Sequence, residues 1–539
     1  MNLRQQTVSQ MLSETVARFP RRPAVLWAEG QWNYTEFSRE ITKMAKGFLS
    51  LGLTMGSHAA LWTDPTPRAV TAFFALQRIG AVVVLLNTCL KGGEIEKQLM
   101  CSDAEFVILE GEEKAQSLLE ACRSGREACF DEGSLCLGQT VRVRTVVLSE
   151  LPEEPEWPEP IPEADPDAVA MMLFTSGTTS ANYKVVCSSG AQLAGSGHMK
   201  AGDMGADETD VICCALPMFH TFCINCNILT AAASGACLVL PPDRHSETVL
   251  TYIERYRCTM LTAVPSVYLT LIARPDLRPE RVASLRCGIV GGAYCSPEQF
   301  CAIERKLGMT LLPGLGQSEV IAGVTIASPE ESLEVRSTTL GHFVDRLEGR
   351  IVGHEVPMGE GDTQAGEIQV RGPMVMLGYY ENGKVVPAVD EDGWLHTGDL
   401  GWQDAAGNIH YAGRIKDIII RGGENIMPSE IEAALSGDAR ISCCKAVGIP
   451  DEHYGEVPCI CIVPAGGAAL NEAQVQDALC RRLAAFKVPK FVLFFSKFPY
   501  TNTGKINCKK VASIARSAIL GVCPSQHSQS EKVKVPQNA

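Results

Sequence analysis

Four stretches of this chain bring together residue types that can handle a phosphate-bearing ligand. The first is Thr175-Ser176-Gly177-Thr178-Thr179-Ser180, which ends an apolar run and precedes Lys184. Hydroxyls and accessible backbone N–H groups in such a loop can wrap phosphate oxygens, and the lysine adds a mobile point charge. The Walker spacing G-x-x-x-x-G-K-[ST] is absent, and an ordinary loop has the same composition. The second is "GLGQSEV", Gly314 to Val320. Its glycines let a backbone approach a flat ligand, and Glu319 with Ser318 could hold a Mg²⁺ that bridges phosphates; a tight turn with an exposed glutamate is the simpler alternative. The third runs from Asp392 to Glu432 and contains Asp399 in a Gly-Asp turn, where a carboxylate could accept both hydroxyls of a ribose. Arg414 could donate to the same sugar or to a phosphate. Much of this segment also serves the fold, because "DAAGN" reads as a hairpin turn and Pro428 as the first residue of a helix. The fourth is "PYTNTGKINCKK", where Lys505 follows a glycine in a polar loop; a lone lysine there would ordinarily face solvent.

Positioning these stretches takes more than one domain. With 539 residues and 46% hydrophobic content, the chain exceeds a single core. Tyr34, Phe37, Ile41, Met44 and Phe48 recur at helical spacing, and that helix ends near the glycine of "SLGL". The runs at 106–110, 236–242 and 285–293 read as buried strands between helical patterns, so the large lobe is α/β. The segment 151–168, rich in proline and acid, cannot be regular helix or sheet. After Arg414 the texture changes to a charged turn, a helix from about Pro428, strands at "AVGIP" and "PCICIVP", and a last helix near 471–486. The expected architecture is a large N-terminal lobe of layered α/β subdomains over 1–414 and a small C-terminal α+β domain over 415–520. The polar tail 521–539 is expected to be disordered.

The net charge of −14 and pI near 5.3 disfavour a nucleic-acid or anionic-membrane partner, either of which would attract a basic face, so a phosphate ligand must be met by local geometry. The start "MNLRQQTVSQML" lacks the pattern of a signal peptide, no apolar stretch is long enough to span a membrane, and a cytoplasmic protein is expected. The 22 cysteines often sit inside apolar runs, which suits buried thiols in a reducing compartment. Cys223 and Cys226 form one Cys-x-x-Cys without a second pair, so a four-ligand metal site is not expected.

In order and spacing, the four stretches resemble the adenylate-forming superfamily of acyl-CoA synthetases, nonribosomal-peptide adenylation domains and luciferases. The resemblance covers about residues 25 to 510 and includes "FFALQRIGAVVVLLN", "GEIQVRGPMVMLGYY", "VGIPDEHYGEVP" and "FKVPK". Its most specific part is "GWLHTGDLG…GRIKDIIIRGGENIMPSEIE". The resemblance implies an ATP- and Mg²⁺-dependent ligase that forms an acyl-AMP, releases pyrophosphate and passes the acyl group to CoA. It implies that Thr175 to Lys184 is the mobile phosphate loop and that Glu319 is the magnesium-associated glutamate. Asp399 then binds ribose with Arg414 as partner, and Lys505 bridges the carboxylate and the α-phosphate. By the same resemblance Gly291, Gly292 and Ala293, with Gly314, Leu315, Gly316, Gln317 and Ser318, lie along the nucleotide and acyl pocket. Lys416 matches the hinge on which the small domain rotates, and Gly422, Gly423 and Glu424 belong to the loop that then approaches CoA.

The chain departs from the family pattern at the phosphate loop, where Ser180 replaces glycine, Asn182 stands at the proline position and Lys184 is displaced by one. Leu315 replaces the aromatic residue that relatives stack on adenine. In "LPMFHTFCINCNILTAAASG", His220 resembles the histidine bordering the acyl pocket, with Cys223, Cys226 and Asn227 as candidate lining. No acidic residue in that stretch could hold an ammonium group, so a fatty or other non-amino-acid carboxylic acid is expected as the partner of ATP and CoA. Two alternatives stay open: a ligase that loads a carrier protein in trans, and a member that binds ligands without turnover.

Overall fold

The computed structural model describes residues 5–520 apart from 91–92, 124–127, 132, 138–140, 153–154, 156, 158, 176–182, 358–363, 423, 467 and 502–504. The tail 521–539, expected to be disordered, lies outside the described residues.

Apolar runs become strands buried on both faces. In Val82–Leu85, Val83 and Leu85 pack into one core, Val82 and Val84 into another. Side chains alternate across a strand, so a run without polar residues has no solvent face. The first of these cores joins the two large sheets of the N-terminal lobe. Ile212, Leu238 and Ile289 come from one sheet and Val83, Leu173 and Val186 from the other. Helix Tyr34–Ser50 adds Phe37, Ile41 and Phe48 to the same core. Asn33 and Glu36 cap its start reciprocally, satisfying N–H groups that the first turn leaves open.

One large sheet is parallel through its centre, where Thr310–Gln317, Cys287–Gly291, Met260–Leu261, Val211–Cys213 and Cys237–Val239 lie side by side. The other runs through Lys184–Ser189, Val169–Thr175, Val82–Leu85, His58–Leu61, Phe106–Leu109 and Val141–Val147, with a hairpin at each edge. A smaller antiparallel sheet, Glu348–Pro357, Gln364–Arg371, Leu395–Gln403 and Ile409–Arg414, leads out of the lobe. Its last turn is the "DAAGN" hairpin, closed by the Asp404 N–H donating to the Asn408 carbonyl at 3.0 Å.

Beyond the short 3-10 turn Ile415–Asp417, the chain builds a small α+β domain. Its sheet centres on Ile441–Asp451 and Gly455–Pro464, and Pro428 starts helix Pro428–Ala434. The expected last helix near 471–486 is shorter, Glu472–Cys480, and is not the last. A further helix, Cys508–Leu520, places Val511 and Ala515 against the strand side of the domain. Val511, Ile514, Ala515, Ala518 and Ile519 recur at helical spacing along it and pack into one cluster, so its period is legible although the sequence reading ended the domain's helices earlier. Cys213, Cys214, Cys459 and Cys461 are free and buried. No helix among the described residues is long and apolar enough to cross a membrane.

Candidate active site

The parallel strands Cys287–Gly291 and Thr310–Gln317 end side by side, with Gly291 opposite Gly314. Ligands of α/β sheets bind beyond the carboxyl ends of such strands, and here that end opens into a cavity of about 700 Å³. The backbones can meet so closely only without side chains. A Cβ on Gly314 would stand 2.9 Å from the Thr325 carbonyl oxygen. Gly292 has φ +78°, and a Cβ there would stand 3.0 Å from Lys505 Cε and 3.1 Å from Nζ. The ammonium end of this small-domain lysine thus rests on a glycine of the large lobe, and it forms part of the cavity wall. Burial, with the Arg414 charge adding to it, lowers the pKa of the Lys505 ammonium.

Glu319 reaches the wall from the turn between Thr310–Gln317 and Val320–Ile326. Tyr379 donates its hydroxyl to Glu319 Oε1 at 3.0 Å, and Lys184 Nζ lies 4.4 Å from the centre of the same ring. Burial first, then the Glu319 charge, raises the Tyr379 hydroxyl well above its usual range, so it stays a donor. Thr175 and Lys184 pair across antiparallel strands and hold both ends of the expected phosphate loop at the wall. Ser176, Gly177, Thr178 and Thr179 themselves lie outside the described residues.

Leu315, Gly316, Gln317 and Ser318 line the cavity, as do Arg414 and Lys416. Asp399 is fully buried and is not part of the wall. Arg414 Nε lies 2.9 Å from its Oδ1, off the hydrogen-bond direction, and neither carboxylate oxygen has an aligned donor among the described residues. Burial raises the Asp399 carboxyl and the Arg414 charge opposes that shift. Ala293 is exposed and off the wall. Gly422 and Glu424 sit in the hairpin of Ile419–Arg421 and Glu424–Ile426, also off the wall, and Gly423 lies outside the described residues.

His220 lines the cavity with Nε2 sealed and without a partner among the described residues. Burial, then the charges of Lys505 and Arg244, lowers its pKa to about 4. The segment after it winds as a π-turn, Ile224–Leu229, which displaces one residue from the helical ladder. Asn225 and Cys226 face the cavity, while Cys223 and Asn227 do not. Cys223 Sγ instead lies 3.5 Å from Cys214 Sγ, and Asn227 Nδ2 lies 3.9 Å from the same Cys214 sulfur. At about 100° per residue Asn225 and Cys226 fall on one side and Cys223 with Asn227 on the other, so the period separates the two pairs and the packing decides which pair faces inward.

Several wall residues escaped the sequence reading. Tyr379 was inside a quoted family match, but its aim at Glu319 depends on a sheet-edge pairing. Lys200 comes from the last turn of helix Gly190–Asp203 and carries no motif. Glu367 accepts from the Gly398 N–H at 3.1 Å and pairs with His396 at 2.8 Å, shaping the turn before Asp399. The wall carries four cations besides the paired Lys200, namely Lys184, Arg414, Lys416 and Lys505, against two carboxylates, Glu319 and Glu367. In a chain of net charge −14, that local excess suits a polyanion.

The sequence profile of the AMP-binding enzyme family matches residues 12–380, and that of the AMP-binding enzyme C-terminal domain matches residues 430–505. The chain belongs to this family. It is 30% identical over 491 residues to a feruloyl-CoA synthase of Amycolatopsis, covering 90% of this chain and 94% of that one. It is 28% identical over 542 residues to the mitochondrial medium-chain acyl-CoA ligase ACSF2 of Danio rerio, covering 94% and 88%. Among solved structures, o-succinylbenzoate coenzyme A synthetase (MenE) of Bacillus subtilis, in complex with ATP and magnesium ion, superimposes with a TM-score of 0.77 at 26% identity, covering 92% of this chain and 98% of that one.

Proposed function

We propose that this protein is an ATP-dependent carboxylic acid:CoA ligase that works through an acyl-AMP intermediate. The observation that carries the reading is Lys505, held by the small domain inside the cavity against Gly292. In the first step a carboxylate oxygen attacks the α-phosphorus of ATP and pyrophosphate leaves. Lys505 lies where it can neutralise charge on both reactants, and its lowered pKa reflects how little water shares that position. In the second step the CoA thiol attacks the acyl carbon, losing its proton, and AMP leaves.

The donors present suit Mg²⁺, which takes one or two carboxylates and completes its shell with phosphate oxygens and water. Glu319 would hold it, and the bound ion would add positive charge beside the triphosphate. Tyr379 fixes the Glu319 carboxylate, Lys184 stands at the end of the phosphate loop, and Arg414 is placed for the sugar or a phosphate. Asp399 would take part in ribose binding by orienting Arg414, because its own carboxylate lies off the wall.

We take 1–414 as the adenylating lobe and 415–520 as a lid that turns about Lys416. The 3-10 turn Ile415–Asp417 between the two supports that boundary. Turning withdraws Lys505 and lets the hairpin of Gly422, Gly423 and Glu424 approach CoA, so one shielded cavity serves both steps. The acid is one without an ammonium group, since the wall around His220, Asn225 and Cys226 offers no carboxylate to meet one. The free buried thiols fit a reducing, cytoplasmic setting.

The test is acid-dependent pyrophosphate release from ATP and Mg²⁺ over aliphatic and aryl acids, with CoA or a holo-carrier protein as thiol. Release followed by acyl-CoA formation is expected. Transfer only to the carrier would replace CoA as the acceptor, and ATP binding without release would mean that the altered loop has made this a non-catalytic binder.

A further inference from the structure

The cavity contains a buried cation that adenylation does not use. Lys200 is 3% exposed and sits on helix Gly190–Asp203. Its Nζ pairs with Asp203 Oδ2 at 2.5 Å and lies 3.8 Å from where a Cβ on Gly323 would stand. Gly323 is itself a wall residue, so no side chain intervenes there between the ammonium and the cavity. An ammonium carries three donors and Asp203 occupies one. Burying a lysine is costly even when it is paired, and an apolar side chain would pack this helix at lower cost.

A complementary acceptor lies on the same wall. Asn225, in the π-turn, donates its Nδ2 to the Ile321 carbonyl, which assigns the other amide atom as oxygen. That Oδ1 is buried and has no partner among the described residues. Ile321 and Gly323 are two residues apart on strand Val320–Ile326, a spacing of about 7 Å. Cys226 and Ala322 line the cavity beside them and offer apolar contact. The cavity therefore combines an acyl-compatible surface with spare donors on Lys200 and an unpaired acceptor on Asn225.

We propose that the acid activated here carries an uncharged oxygen, a hydroxyl or carbonyl, at the end remote from its carboxylate, and that Lys200 selects for it. The inference rests on the ligase reading and narrows its substrate class. The Lys200–Asp203 pair has no net charge, so it offers a second carboxylate little attraction and sets it near Asp203. A hydroxyl accepts from Lys200, and in a suitable pose it also donates to Asn225.

The experiment measures kcat/KM for pyrophosphate release with straight-chain acids of equal length ending in methyl, hydroxyl, ketone or carboxylate. Wild type should favour the hydroxyl or ketone over the methyl end by about tenfold or more, since a site built around polar groups rejects the analogue that leaves them unpaired. Lys200→Met should bring that ratio close to one, and Asp203→Asn, which keeps the lysine, should retain a preference for oxygen. If Lys200→Met does not fold, the wild-type ratio and Asp203→Asn still decide. Equal or better turnover of the methyl-ended or ω-carboxy acid by wild type overturns the proposal while leaving the ligase reading intact, as does an oxygen preference that survives Lys200→Met. Absence of release with every acid overturns the ligase reading and this inference with it.

Discussion

Replacing Gly292 with alanine tests whether the contact with Lys505 matters to adenylation. The new Cβ would lie 3.0 Å from Lys505 Cε, 3.1 Å from Nζ and 3.5 Å from Val264 Cγ1, and the backbone there has φ +78°. The left-handed conformation costs an alanine about 1–2 kcal/mol in stability. The lysine end is flexible and would yield by a few tenths of an ångström. Since a misplacement of about 1 Å can cost on the order of 100-fold in rate, a shift of this size should slow acyl-AMP formation about tenfold. Gly308→Ala supplies the control, because Gly308 has φ +67° and its Cβ would meet nothing within 4 Å. Both variants should lose similar stability in thermal unfolding, and only Gly292→Ala should lose pyrophosphate release. Thiol transfer from preformed acyl-AMP should be spared. A double-mutant cycle closes the argument: in a Lys505→Ala background, Gly292→Ala should have almost no further effect on the first step. An equal effect in both backgrounds, or none in wild type, would refute the reasoning.

Lys505→Ala alone should slow acyl-AMP formation by about 100-fold or more and leave transfer from preformed acyl-AMP near wild type, read in separate half-reaction assays; equal loss in both would remove its assigned role. Tyr379→Phe deletes the hydrogen bond to Glu319 and keeps the ring under Lys184. The KM for ATP should rise about tenfold, as expected for a bond to a charged group, and an unchanged KM would show that Glu319 needs no such support. His220 has a pKa of about 4 against an ordinary 6.5, so the unfolded chain binds its proton first. Its contribution is present above pH 6.5 and is lost as pH falls toward 4, by about 3 kcal/mol at most and roughly 2 kcal/mol allowing for the partial exposure of the ring. Denaturation of wild type and His220→Asn at pH 7.5 and 4.5 should show wild type losing that much more; parallel losses would contradict the burial.

The parts of the site legible in the sequence are those carried by contiguous residues. Gly291 and Gly292, the turn from Gly314 to Glu319, Arg414, Lys416 and Lys505 all reach one cavity. The local chemistry of Glu319, Arg414 and Lys505 made them candidates, and the family resemblance added Gly291, Gly292 and Lys416 and tied them all to one site. Lys200 was illegible because it lies in a helix with no motif around it, whereas Asn225 and Glu367 lie in stretches that match the family pattern but only tertiary packing shows which of their residues face the wall. Asp399 shows the limit from the other side. Its turn is specific, but neighbouring strands decide whether its carboxylate opens to the cavity or is sealed beside Arg414. In the fold, helices Tyr34–Ser50 and Cys508–Leu520 both carry an apolar stripe at helical spacing, and only the first was read from it.

The π-turn Ile224–Leu229 makes the cavity wall at Asn225 and Cys226 sensitive to chain length as well as to side-chain identity. A wide turn of this kind equals an α-helix with one residue inserted. Deleting a single residue there would close the ladder and rotate the flanking segments relative to one another by about 100°. Residues on one side of the deletion would then turn to different neighbours, so a single-codon deletion in this segment changes the surface near Asn225 and Cys226 more than any one substitution could.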